Sequence, residues 1–211
     1  MKNVIIAGAG GCAREVLQWI KDINKAKKTW HIKGFIADDK DTAFNGIECD
    51  VPIISTVRDY IPQKDDCFVC AIGSPNAKRL VTGLLASKGA EFVSVIHPKA
   101  IISDGCVIGT GFIAYPYSVV SPKAKIGDFV TLLSSTIGYN SSVGSYSTIS
   151  SYCHIGNRVT TGAFCNLGSH VCIEDDILIG NNVFAGAGSI ITQEFGSGAK
   201  LFGNPASKVD I

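Results

Sequence analysis

From Ile96 onward an aliphatic residue recurs at every sixth position: Ile96, Ile102, Ile108, Ala114, Val120, Ile126 and Leu132. The count then loses one residue and resumes at Ile137, running through Val143, Ile149, Ile155, Thr161, Leu167, Ile173, Ile179 and Ala185 to Ile191. From Val143 on, glycine follows the marked position in six of nine cases, as in Gly144, Gly156 and Gly180. Two residues before it the side chain is small or β-branched, as in Ser147, Cys153, Val159, Cys165 and Val171. Positions two apart share one face of a strand, and glycine suits a sharp bend. A strand and a bend every six residues predict a parallel β-helix of hexapeptides. The slip falls at "SSTIGYNSSVG", residues 134–144, where Tyr139 and Asn140 are expected on a shortened bend.

The first ninety residues have a different rhythm. "VIIAGAGGCAREVLQWI" reads as an apolar strand, a glycine turn and a helix with Val16, Leu17, Ile20 and Ile23 on one side. Its turn matches G-x-G-x-x-A through Gly8, Gly10 and Ala13, a geometry that lets backbone N–H groups approach a phosphate. Further strands are expected at 31–39, 51–55, 67–73 and 91–96, with a helix from Asn76 that stops at Gly89. The pattern predicts an α/β domain over 1–92 followed by the β-solenoid over 93–211. The first is too short for both halves of a dinucleotide-binding fold, which argues against NAD.

Composition narrows the partners. With 19 basic and 18 acidic residues and no long run of either sign, the chain has no footprint for nucleic acid or an anionic membrane. The apolar start is shorter than an export signal, so a soluble cytoplasmic protein is expected, with its eight cysteines as reduced thiols. "CFVC" at 67–70 lies in a strand that turns the two thiols to opposite faces, and Cys106, Cys153 and Cys165 fall on the small inward position of the repeat. No metal site is expected. A three-histidine zinc site of the γ-class carbonic anhydrase kind fails on spacing, because only His154 and His170 are close in sequence.

Residues 96–191, with the closing "GNPASKV", resemble the left-handed β-helix of hexapeptide-repeat acyltransferases, which implies three hexads per coil and about five coils. "GAGGCAREV", "GFIADD", "AIGSPNAKR" and "IHPKAIIS" resemble one branch of these enzymes: the sialic-acid O-acetyltransferase and bacillosamine or perosamine N-acetyltransferase group. The resemblance implies a Rossmann-like N-terminal domain for a nucleotide-linked sugar, a β-helix for acetyl-CoA, and a homotrimer. Carried over, Gly8, Gly10, Gly11 and Cys12 would face the nucleotide phosphates, Asp38 and Asp39 the base or ribose, and Gly73, Ser74 and Arg79 would complete the site. Acetyl-CoA would lie along Asn157, Ser169, Gly186, Ala187, Gly188, Gly203, Asn204 and Pro205. The implied function is acetyl transfer to a nucleotide-linked sugar for surface glycans.

The chain departs from the group at the proton acceptor. Tyr139 and Asn140 stand where the related enzymes have a histidine beside a glutamate. Tyrosine titrates near ~10 and asparagine not at all, so neither is a ready base. Three readings follow: His154 or His170 serves instead, an amine acceptor needs no such base, or the chain is a binding homologue without catalysis. The second weakly favours N-acetyl over O-acetyl transfer.

Overall fold

The computed structural model describes residues 1–38 and 49–210. They form two compact units, Met1–Pro98 and Lys99–Ile211. The boundary expected after residue 92 thus falls after Pro98. Phe92 bridges to Phe68, and Val95–Ile96 packs on the first helix, so this stretch belongs to the first unit.

The first unit is a parallel sheet of four strands, β1 (Asn3–Ala7), β2 (His31–Ile36), β3 (Ile53–Ser55) and β4 (Asp66–Cys70), in the order β3-β2-β1-β4. Helix α1 (Gly11–Ala26) follows β1 directly and buries Ala13, Val16, Leu17 and Ile20. Helix α2 (Pro75–Ser87) has Ser74 as its N-cap, and Gly89 follows with φ +82°. Below the sheet's amino end Asp66 accepts from Lys33 Nζ at 2.9 Å, Tyr60 Oη at 2.7 Å and the Gln63 amide at 2.9 Å. Burial alone would raise its pKa, but these bonds hold the carboxyl below its ordinary range.

The second unit is a three-faced parallel β-helix of two-residue strands. One face stacks Ile113–Ala114, Thr131–Leu132, Thr148–Ile149, Asn166–Leu167 and Phe184–Ala185, then the closing hairpin Lys200–Gly203 and Ala206–Lys208. The next stacks Ile101–Ile102, Val119–Val120, Thr136–Ile137, His154–Ile155, Cys172–Ile173 and Ile190–Ile191. The third stacks Val107–Ile108, Lys125–Ile126, Ser142–Val143, Thr160–Thr161 and Leu178–Ile179. The solenoid runs past the expected five coils, because Phe195 bridges to Ile179 and Lys200–Gly203 opens a further layer.

The second residue of each strand points inward, so Val120, Ile137, Ile155, Leu167 and Ile173 fill the bore. The small position two residues earlier also points inward and performs a second task. Ser135, Ser141 and Ser147 each accept, through Oγ, the N–H of the residue one coil on, at Cys153, Val159 and Cys165. A buried N–H needs a partner, and a short hydroxyl supplies one without widening the bore.

The bends account for the glycines and for an unusual backbone. Among the described residues twelve non-glycine ones have positive φ, including Lys123, Phe129, Ser134, Asn140, Tyr146, Tyr152, Arg158, Phe164 and His170. At Gly144 a Cβ would lie 2.3 Å from the Gly162 carbonyl carbon, so stacked bends leave no room for one. The lost residue is at Leu133–Ser135, where Ser134 takes φ 46°, and not at Tyr139 and Asn140 as expected. Gly138–Ser141 is a bend of ordinary length. The short one closes because Ser135 Oγ donates to both Leu133 O at 2.9 Å and Ser150 O at 2.7 Å.

Ser141 is wholly buried; its Oγ donates to Gly156 O at 2.7 Å and accepts from Val159 N at 3.0 Å. Ser141→Ala orphans that N–H, so the free energy of unfolding falls by about 1–3 kcal/mol, read as a lower denaturant midpoint.

Candidate active site

In the first unit the parallel strands place the loops after their carboxyl ends at one end of the sheet. Gly8 follows β1 with φ +108°, and a Cβ there would meet Ala71 O at 2.9 Å, so only glycine fits. Its N–H donates to Ile36 O, which ties the turn to β2. Gly10 caps α1 and Gly11 opens it, and beyond both positions lies open space, as a turn that admits a ligand's phosphate requires. Cys12 is half-buried in the first turn of α1. Asp38 is exposed after β2 and accepts from Val57 N at 3.0 Å, while Asp39 lies outside the described residues. Gly73 and Ser74 are exposed after β4, but the Ser74 hydroxyl caps α2, accepting from Ala77 N at 3.4 Å. Arg79 is exposed on α2.

One charged group here was missed from the sequence. Lys78, next to Arg79, is 1 % exposed, and burial presses its ammonium down to about 8. The signal was available: Pro75, Lys78, Thr82 and Leu85 form the buried stripe of α2, and Arg79 is off it. Burial also raises the thiols of Cys67 to about 11 and Cys70 to about 12, so both are neutral packing groups.

In the second unit Tyr139 and Asn140 sit on the corner between the second and third faces, both exposed. The same corner carries Asn157 and Arg158 one coil on, and Asp175 and Asp176 after those. A side-chain ladder connects them. Tyr139 N donates to Asn157 Oδ1 at 2.9 Å, Asn157 N donates to Asp175 Oδ1 at 2.7 Å, and Asn157 Nδ2 reaches Asp175 Oδ2 at 3.0 Å. Beside it Arg158 forms a two-pronged pair with Asp176 at 2.5 and 2.7 Å. Lys123 Nζ lies 5.4 Å from the centre of the Tyr139 ring, and its hydrogen bond with Tyr139 raises the lysine above its ordinary value. His154, exposed on the second face, joins Cys172, Ile173, Glu174 and Asp175 around an open groove of about 470 Å³.

The residues expected for acetyl-CoA divide between places. Ser169, Gly186, Ala187 and Gly188 share the corner between the first and second faces, where Gly188 N donates to Ser169 O at 2.9 Å. Gly186 is obligatory, because a Cβ would lie 2.2 Å from the Phe202 ring. Gly203, Asn204 and Pro205 form the closing hairpin, with a cis bond between the last two. Asn157 belongs to the other corner, with Tyr139. His170 stacks on Tyr152 at 5.3 Å, away from the Tyr139 column. Among the described residues no group of three His, Cys, Asp or Glu side chains is placed to hold a metal ion, and no helix is long and apolar enough to cross a membrane.

The fold defines the class: a small parallel α/β unit followed by a hexapeptide β-helix. Residues 3–83 match the model of the PglD N-terminal domain. The chain is 27% identical over 126 residues to the GDP-perosamine N-acetyltransferase of Escherichia coli O157:H7, covering 60% of this chain and 49% of that protein. It is 30% identical over 115 residues to the UDP-N-acetylbacillosamine N-acetyltransferase of Bacillus subtilis strain 168, covering 53% and 50%. The matched segments thus span about half the length of these curated relatives. The acetyltransferase domain of PglB from Neisseria gonorrhoeae FA1090, solved with acetyl coenzyme A, superposes with a TM-score of 0.90 at 23% identity over 99% of both chains. PerB from Caulobacter crescentus, solved with CoA and GDP-perosamine, gives 0.79 at 17% identity over 100% of this chain and 98% of that one. The chain is thus similar in sequence to two N-acetyltransferases and shares the fold of the PglB domain and PerB.

Lys78 also makes a stability prediction. Its native value is below that of an unfolded lysine, so its burial cost is present in full below about pH 8 and is relieved as pH rises toward 10.5, where the unfolded chain also loses the proton. Lys78→Met is therefore more stable at pH 7, by up to about 3 kcal/mol. Its advantage over the wild type shrinks from pH 8 to pH 10 in denaturant titrations.

Proposed function

We propose that this chain is an acetyl-CoA-dependent acetyltransferase acting on the amine of a nucleotide-linked sugar, an N-acetylation step in surface-glycan assembly. The observation that carries the reading is the joint match, in one chain, of a PglD-type N-terminal domain and two nucleotide-sugar N-acetyltransferases. The open glycine turn at Gly8–Cys12 offers backbone N–H groups to a diphosphate, and Asp38, Asp39, Gly73, Ser74 and Arg79 are the further proposed contacts. Acetyl-CoA lies along the β-helix, as the complexes of the PglB domain and PerB support. Ser169, Gly186, Ala187, Gly188, Gly203, Asn204 and Pro205 are its proposed contacts, small residues that let a pantetheine arm run close to the backbone.

In this reading an unprotonated amine attacks the thioester carbonyl, the carbon–sulfur bond breaks and CoA leaves as the thiolate. Tyr139 and Asn140 orient the acceptor by hydrogen bonds. The protein is a cytoplasmic homotrimer. Tyr117 and Tyr152, each 67% exposed on one corner, supply surface for a neighbouring subunit, and the described cysteines are all free thiols.

The test is release of free thiol from acetyl-CoA in the presence of UDP-, dTDP-, GDP- and CMP-linked amino sugars, with mass spectrometry of the product. Release with at least one amino sugar and a mass gain of one acetyl group are expected; no release above background with any acceptor sinks the enzyme reading. Tyr139→Ala should lower kcat/KM about tenfold, the loss of one positioning contact. If Tyr139→Ala and Tyr139→Phe both leave activity and acceptor affinity unchanged, Tyr139 is not in the cleft. Light scattering across a dilution series checks the trimer.

A further inference from the structure

We propose that His154 takes the acceptor's proton, with Asp175 as the fixed negative charge in the same groove and Asn157 holding Asp175 to the Tyr139 bend. This rests on the acetyl-transfer reading. His154 lies one coil on from the Tyr139 bend, three residues before Asn157, a displacement of about 4.8 Å along the stack.

The local geometry makes His154 the usable group. It is the first residue of its strand, so Ile155 points into the bore and the imidazole points out. Its neighbours across the ladder, Thr136 and Cys172, carry no charge at neutral pH; burial raises the Cys172 thiol, so it does not compete for the proton. The carboxylates facing the same groove are Glu174 and Asp175. Asp175 is the fixed one, held by the Asn157 backbone N–H at 2.7 Å and the Asn157 amide at 3.0 and 3.3 Å. Those bonds, aided by Arg158 and His154, keep it ionised. The other cation nearby, Arg158, is committed to Asp176 and lies 3.7 Å from Asp175. His154 and Asp175 face the same groove, so a proton taken there meets a fixed negative charge. The same asparagine binds Tyr139 N–H, so Asp175 and the substrate-facing bend share one rigid ladder.

The step balances without a further reactant. The amine nitrogen forms the bond to the acetyl carbon, and the carbon–sulfur bond breaks. The nitrogen's proton passes to His154 and from there to the departing CoA thiolate.

With the amino sugar that supports turnover, His154→Gln should lower kcat/KM about 100-fold, with KM nearly unchanged. The acid limb of its pH profile should vanish, and added imidazole should partly restore His154→Ala. Asp175→Asn keeps an oxygen acceptor for the Asn157 N–H, so the bend stands while the charge is lost. It should lower kcat about tenfold with KM nearly unchanged. A merely structural Asp175 would leave kcat of the folded enzyme in place and lower only its stability. His31→Asn, at the amino end of β2, should behave as the wild type. If the wild type turns over while His154→Gln stays within twofold of it and keeps the acid limb, this assignment is overturned and the acetyl-transfer reading stands. If the wild type releases no thiol with any acceptor, both fall together.

Discussion

Everything in the second unit depends on the stacking of one coil on the next. A two-residue strand makes too few hydrogen bonds to stand alone, so stability comes from columns that run the length of the solenoid. One column is the inward aliphatic residue of each strand. A second is the inward serine whose hydroxyl accepts an N–H from the coil beyond, at Ser135, Ser141 and Ser147. A third is the bend, where one coil's amide donates to the next coil's Asn, Asp or Ser side chain, as at Tyr139, Asn157, Asp128 and Asn181. Removing any single member leaves a buried or strained group in two coils at once.

The same stacking gives the three corners different chemistry. Each corner needs a residue with positive φ, which disfavours β-branched side chains and leaves aromatic, amide and charged ones to face outward. Phe129, Tyr146 and Phe164 make an aromatic stack along one edge, with Tyr146 and Phe164 nearly parallel at 5.1 Å. Tyr152 and His170 stack on a second. The third, with Tyr139, Asn157, Arg158, Asp175 and Asp176, is polar and cross-linked, and is the one suited to hold substrate groups in a fixed geometry. A solenoid places functional side chains with the rigidity of its own backbone, because the groups that orient them are the groups that close the coil.

The first unit bears a cost of another kind. Lys78 lies buried near the carboxyl ends of the strands where the glycine turn opens, and its burial holds the ammonium below its ordinary value. At the opposite end of the sheet the Asp66 carboxylate is paired with Lys33 and Tyr60 and capped by a backbone amide.

Periodicity alone determined the β-helix, its inward and outward faces and the glycine bends, because a six-residue repeat has one way to bury an aliphatic residue per strand. The order of strand, glycine turn and helix likewise determined the start of the α/β unit, since the turn between β1 and α1 is local. Three things waited for the tertiary structure. The shortened bend proved to be Leu133–Ser135, because whether a residue is lost before or after a given strand depends on the coil it must stack on. Lys78, next to the expected site residue Arg79, proved to be a buried cation of α2, since burial depends on what packs against a helix. Asn157, expected along acetyl-CoA, was found between Tyr139 and Asp175, residues 18 apart on either side of it. A ladder of hydrogen bonds between coils is invisible to any window along the chain, and it is that ladder which joins Tyr139 to Asp175 along one edge.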